Sequence, residues 1–512
     1  MGQTAKKRIL LPVRGLDVTA PAEFIDPSGA SAIQNIEINR NIIRKRTGTT
    51  ALGSSLGERV MAYNELREGD GNYLFRFGPT TVEILNKAAS TWSDVTGTPL
   101  TGVSTDIYDF AFPILNGRRI MTFTNGVDNI RKITGASNSA DLGGTPPKCK
   151  YMVAYQGYLI LGHIFDSGSV FSSELVWCDT ADPENWTTGN SGSAFLVADG
   201  EDITGMGLSG PYFTVHMESS ISLGYGVTTS DVFRVERKNT GIGTAAHQTI
   251  KNIPNAGQIF LALDGVHIFD GNAAPLVQSK IVDEIREGIN PAYIRQSAAV
   301  VVRELDEYWL AVPMGSQTVP ETIYKYNYRT GDWYKDDRPN LTAISTYVAT
   351  DETPWDSMVG TWDAQTSRWD AVTMEAANPL VVFGDSTGSS TRRALSTASD
   401  NTVAIDAYYT TKDFTAEDFG LETGRLIRWK GLQVWAKGDF VDVEHSTDGG
   451  TSWVAVDTLT LESDYPADDA PIHAWFDVVA SGLRLRFSND TVDETFTLKK
   501  FYIEATPREM RK

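Results

Sequence analysis

Apolar residues along this chain recur at short period. Tyr73-Leu74-Phe75-Arg76-Phe77, Val82-Glu83-Ile84-Leu85 and Arg119-Ile120-Met121-Thr122-Phe123 are strand-length, rich in β-branched or aromatic side chains, and bounded by turn residues. The turns carry Asn116-Gly117, Asn125-Gly126, Asp264-Gly265 and Asp270-Gly271. These residue types tolerate the positive φ that tight hairpins require. Helical spacing is confined to one stretch, Ser279 to Glu287, and the pattern predicts an all-β protein.

A loose repeat underlies the strands: an apolar strand, a turn, and a second strand that often ends in tryptophan. It recurs at Ile84 to Trp92, Tyr158 to Trp177, Ile323 to Trp333 and Met358 to Trp369. Units of about 40 to 50 residues built this way are propeller blades, which must close into a ring to bury both faces of each sheet. Residues 55–400 have room for roughly seven of them. The Ser/Thr-rich stretch Ser389 to Asn401 reads as a linker. Beyond it, alternating strands at Ala404 to Tyr409, Arg428 to Ala436, Val441 to His445, His473 to Val479, Leu483 to Phe487 and Thr497 to Ala505 predict an antiparallel β-sandwich over 401–512. Residues 1–54, confined by Pro12, Pro21 and Pro27, read as a docking or ring-closing segment.

Composition narrows the function. At 512 residues, 41% hydrophobic and 21% charged, the chain is globular and long enough for two or three domains. It has no membrane-length apolar run, and Ile9 to Val13 is too short for a signal-peptide core, so synthesis and retention in a cytoplasm are expected. Cys149 and Cys178 form no CxxC and read as buried thiols. With 45 basic and 65 acidic residues the net charge is −20, which disfavours tight binding to nucleic acid. The same charge suits a wall along which a polyanion slides, or simple solubility.

Three stretches resemble the tail-nozzle and packaged-DNA stabilisation proteins of short-tailed, podovirus-like bacteriophages. The first is Gly15-Leu16-Asp17, Pro27-Ser28-Gly29-Ala30, Asn35 and Arg44-Lys45-Arg46-Thr47-Gly48. The second is Asp231-Val232-Phe233, Thr240-Gly241-Ile242-Gly243 and the run from Gln258 to Gly271; the third runs from Ile323 to Trp333. The resemblance implies a structural virion protein of the tail, assembled in the bacterial host cytoplasm. It implies a homohexamer extending the portal channel beneath the adaptor ring. Tail fibre or tail needle proteins would be further partners, and double-stranded DNA would pass without specific binding. The alternative reading is a tail fibre or receptor-binding adhesin that holds host glycan.

Motifs that could carry chemistry have structural readings. Ser446-Thr447-Asp448-Gly449-Gly450-Thr451-Ser452-Trp453 matches the Asp-box turn, a folding device. The GxSxG matches at Gly53 to Gly57 and Gly384 to Gly388 lack a following helix, which a nucleophile elbow needs. His163, His216, His247, His267, His445 and His473 are scattered without metal spacing. The acidic cluster Glu462, Asp464, Asp468 and Asp469 reads as a solvated loop rather than a calcium site. Arg40, Arg44, Lys45 and Arg46 form either a charged strand face or a contact for an acidic face of a neighbouring ring. No catalytic residue, cofactor or metal is expected, and the chain reads as a non-enzyme.

Overall fold

The computed structural model describes residues 7–11, 14–39, 42–68, 71–196, 200–227, 232–277, 280–349, 379–461 and 471–507. The fold is all-β: a β-propeller joined to an antiparallel β-sandwich. Seven sheets, antiparallel except for the parallel pairing of Asp400 with Thr49 in the last, form the blades among the described residues. Their innermost strands are Ala62–Glu68, Asp109–Ala111, Lys148–Tyr155, Ile203–Ser209, Lys251–Ile253, Ala298–Val302 and Leu341–Tyr347. Side chains from all seven line one central cavity, so the sheets are arranged radially around it.

Local chemistry explains the blades. Asn116 and Gly117, at φ 50° and 79°, make the two-residue turn between Ile114–Leu115 and Arg118–Arg119. The tryptophan-ended hairpins form at three places: Leu85 faces Trp92, Ile160 faces Trp177, and Tyr326 faces Trp333. The fourth unit, Met358 to Trp369, lies outside the described residues. Blade faces bury apolar side chains against their neighbours, as where Phe75 and Phe77 of blade one meet Tyr108 and Phe123 of blade two. Each such side chain stabilises by about 2–3 kcal/mol.

The ring closes with strands from distant parts of the chain. Blade seven takes Leu341–Tyr347, Leu380–Asp385 and Ser390–Arg393 from one region and Thr49–Ala51 from another. The stretch expected as a linker, Ser389 to Asn401, therefore supplies blade strands. Thr391, Arg392 and Arg393 pair with Ala51, Thr50 and Thr49 instead of remaining loose.

The described strands within residues 1–54 are divided between the two halves of the molecule, Thr49–Ala51 in the propeller and the others in the sandwich. Lys7–Leu11, Ile36–Asn39 and Ile42–Lys45 join one sandwich sheet, with Ile427–Gly438, Ile472–Ala480 and Phe496–Pro507. Ala30–Gln34 joins the other, with Ala407–Thr411, Phe414–Thr415, Phe440–Ser446, Val454–Thr460 and Gly482–Asn489. The sandwich sheets alternate: along Gly482–Asn489 every second side chain is buried. The core between them, with Trp429, Val434, Val443, Phe487 and Ile503, runs without a break into Tyr308, Tyr324 and Trp333 of blade six. The predicted helical stretch forms Val282–Gly288, whose Ile285 is buried; Glu284 accepts hydrogen bonds from Tyr324 (2.9 Å) and Lys335 (2.8 Å) of blade six.

Candidate functional site

Parts of the stretches that carry the resemblance, some 300 residues apart in sequence, meet at the joint between sandwich and propeller. Leu16 N–H donates to the Trp333 carbonyl (2.6 Å), and a side chain on Gly15 would place its Cβ 2.5 Å from that same oxygen. Close backbone approach is thus the reason for glycine there. Asn35, at φ 54°, is the central tie. Its N–H donates to the Lys335 carbonyl, its Oδ1 accepts from Asp337 N–H (3.0 Å) and Arg46 Nε (2.8 Å), and its Nδ2 donates to the Asp406 carbonyl (2.7 Å).

A buried ion network fills the joint. The Arg46 guanidinium, 2% exposed, holds both carboxylate oxygens of Asp400 and lies 3.7 Å from Asp336. Arg338 also binds Asp400 (2.8 Å), and Lys325 binds Asp336 (2.5 Å) while lying 4.1 Å from the Trp309 ring centre. Arg393 joins Glu37 (3.0 Å) to Glu304 (3.2 Å), and Arg44 also binds Glu37 (2.6 Å). Burial would raise the Glu37 carboxyl, but Arg393, Lys325 and Arg44 override it and hold it at about 2. Asp400 is likewise held below the usual carboxylate range by Arg338 and Arg46 against the effect of burial. Removing one member of such a network strands its partner's charge, at a cost of about 3–5 kcal/mol.

This placement corrects one reading of the basic cluster. Arg44 and Arg46 are committed within the chain, and Lys45 Nζ donates to Asn489 Oδ1 (2.7 Å) and the Thr491 carbonyl (2.8 Å). Lys45 and Arg46 are buried and therefore present no basic face to a neighbouring ring, whereas Arg44, paired with Glu37, keeps 40% of its side chain exposed; Arg40 lies outside the described residues.

One member of the joint titrates near neutrality. Glu307 accepts from Tyr334 and from Trp309 Nε1 (2.6 Å), and burial pushes its carboxyl from 4.5 up to about 7, against the pull of Lys325. The folded state binds this proton more tightly than the unfolded chain does. The resulting stability is full below about pH 4.5 and is lost as pH rises to about 7, by at most a few kcal/mol. Glu307→Gln should remove that slope. Urea midpoints measured from about pH 5 to about pH 8 should fall less in the variant than in the wild type.

The second candidate is the propeller cavity, of about 770 Å³. At one end His247 Nε2 lies 2.8 Å from Asp109 Oδ1, while Asp109 Oδ2 accepts from Met152 N–H (2.6 Å) and His247 Nδ1 faces Met206 N–H (3.4 Å). Both ring nitrogens are occupied, so the dyad pins blades two to five together and has no free nitrogen to activate a hydroxyl. The other carboxylate lining the cavity, Glu304, is bound to Arg393.

The remaining motifs fall on turns. The two GxSxG segments pack against each other, with Leu56 N–H donating to the Gly388 carbonyl (2.9 Å), and the second leads into an antiparallel strand. In the Asp box, Asp448 Oδ1 accepts from Ser452 N–H (2.9 Å) and Ser446 Oγ (2.7 Å), and these bonds hold its carboxyl below the usual range. Trp453 lies beneath the Arg486 guanidinium (4.5 Å). His163 bonds the Ile203 carbonyl, His216 bonds Gln258, and His267 bonds Asp264; His445 stacks on Phe476 and His473 on Trp475. Among the described residues, no three metal-binding side chains cluster. Glu462, Asp464, Asp468 and Asp469 lie outside them. Cys149 and Cys178 are buried and unpaired, with burial raising both thiols, Cys178 to about 11.

Comparison with known proteins adds no family: no family model matches the chain, and no curated protein matches it. Among solved structures, the chain is similar to PorZ, a bacterial surface component of the type-IX secretion system of Porphyromonas gingivalis. The identity is 12% and the TM-score 0.37, over 80% of this chain and 46% of that one, so this chain spans about half of PorZ. It is also similar to an exo-β-1,3-galactanase from Phanerochaete chrysosporium, at 10% identity and a TM-score of 0.28, over 89% of this chain and 100% of that one.

Proposed function

We propose that the chain is a structural subunit of a phage tail, a nozzle that forms a homohexameric ring, extends the portal channel, helps retain packaged DNA and lets it pass at ejection. The observation that carries this reading is the joint. Parts of the first and third resemblance-bearing stretches weld sandwich to propeller through backbone contacts and buried ion pairs. Such a weld makes one stiff block of two domains, which suits a part whose work is shape under load. Identical blocks in heterologous contact close into rings, and a net charge of −20 per chain keeps DNA from adhering to the wall. The subunit acts without catalysis, and its partners are the adaptor ring above and the fibres or needle beside it. Mass photometry of the purified chain tests the assembly. Particles of six times 56.1 kDa are expected; trimers would point to the fibre reading, and monomers at every concentration would sink the ring.

One observation favours the adhesin reading. Trp475, 63% exposed, sits on a strand at the edge of its sheet, stacked on His473 at 5.4 Å and 8° and lying across Gly431. The Arg428–Asp477 pair stands beside it. A flat aromatic bordered by hydrogen-bonding groups suits the apolar face of a sugar ring. Under this reading Trp475→Ala should abolish retention on a host-glycan array with the circular dichroism spectrum unchanged. Equal retention by both proteins would remove it.

A further inference from the structure

The seven inner strands run in one direction around the cavity, so their C-terminal ends gather at a single mouth. That mouth is basic in a chain that is acidic overall. Arg67 ends the inner strand of blade one, Arg119 follows that of blade two, Arg303 follows that of blade six, and Lys251 lies deeper on that of blade five. Arg119 rests 4.8 Å from the Phe112 ring centre. Among the described residues Arg119, Arg303 and Lys251 have no carboxylate at ion-pair distance, whereas Arg67 binds Glu65, which Lys87 shares. Of the two carboxylates lining the cavity, Asp109 is hydrogen-bonded to His247 and Met152 N–H, and Glu304 is paired with Arg393.

Arg119 and Arg303 are exposed at the open mouth and Lys251 is half-buried; cations gathered there without paired carboxylates repel one another, and in a protein of net charge −20 they are the exception to the field. Burial lowers Lys251, and Asp109 only partly offsets this, so the deepest cation is the one most in need of an anion. Cavities of about 300–1,000 Å³ accommodate small molecules, and this one falls in that range. Arginine forks are matched to the paired oxygens of phosphate and carboxylate groups.

We infer that the propeller cavity is a binding site for a small polyanion bearing two or more phosphate or carboxylate groups, held by Arg119 and Arg303 at the mouth and Lys251 within. The inference is independent of the tail reading and would stand in any assembly that leaves this mouth open.

Isothermal titration calorimetry of the full chain with pyrophosphate and with citrate, in low-salt buffer, tests it. One site per chain is expected, weakened at least tenfold by Arg119→Ala or Arg303→Ala and strongly by added salt. Arg234→Ala, which removes an exposed arginine of blade four outside the cavity, should leave the affinity unchanged. Thermal melting of each variant without ligand identifies any that fails to fold; Arg303→Lys, which keeps the charge and loses the fork, should fall between wild type and Arg303→Ala. No heat of binding with either anion would overturn the inference, as would equal weakening by Arg234→Ala.

Discussion

Arg46→Met should lower the stability of the whole chain by about 3–5 kcal/mol, read as a fall in the urea midpoint with the slope of the transition retained. The side chain is 2% exposed and reaches Asn35, Asp336 and Asp400 at once. Methionine fills part of the volume but leaves Asp336 to Lys325 alone, Asp400 to Arg338 and Thr49, and one donor missing at Asn35. The double variant Arg46→Met/Asp400→Asn should cost less than the sum of its parts, because it removes a stranded charge together with its partner. A loss within 0.5 kcal/mol for the single variant would show that the joint does not depend on this network.

Gly48→Ala should be comparably damaging, for a steric reason. A Cβ on Gly48 would sit 2.0 Å from the Ser399 carbonyl oxygen and 2.7 Å from the Ser399 nitrogen, both backbone atoms that cannot turn aside. The residue also donates to the Thr397 carbonyl and accepts from Ala394 N–H, just before Thr49–Ala51 closes blade seven. The substitution should therefore loosen the ring closure, with faster amide exchange across 49–51 and 390–393 and a loss of several kcal/mol. Gly331→Ala offers the contrast: its added Cβ meets nothing within 4 Å, and the cost should be about 1 kcal/mol, from the positive φ of 75° alone.

The blades were legible in the sequence because short apolar runs bounded by turn residues are local signals; the Asn116-Gly117 turn between Ile114–Leu115 and Arg118–Arg119 is an example. The sandwich strands were legible for the same reason, and the observed bounds extend the expected ones by a residue or two in most cases. What stayed hidden depends on contacts across hundreds of positions. Ser390–Arg393 has the composition of a linker and becomes a strand only because Thr49–Ala51 is available to pair with it. The strand Ile42–Lys45, with Arg46 after it, presents a basic run whose partners are Glu37 nearby but Asp400 and the carbonyl of Thr491 far along the chain. No spacing rule announces those partners. The basic mouth of the cavity is similar: Arg67, Arg119 and Arg303 are unremarkable singly and meet only because every blade contributes its first strand to one axis. Trp475 alternates as a sandwich residue should, and nothing in its neighbourhood in sequence marks it as exposed rather than buried.

A chain whose two halves are tied by one N-terminal segment, a common core and buried ion pairs should assemble as a stiff, repeated part of a larger body. Electron microscopy of the purified protein, concentrated until its mass stops rising, examines that directly. Closed sixfold rings around an open lumen wide enough for a DNA duplex are expected, with sandwich and propeller in the same relative orientation in every subunit. Threefold fibres, or single chains whose two halves take many relative orientations, would contradict it.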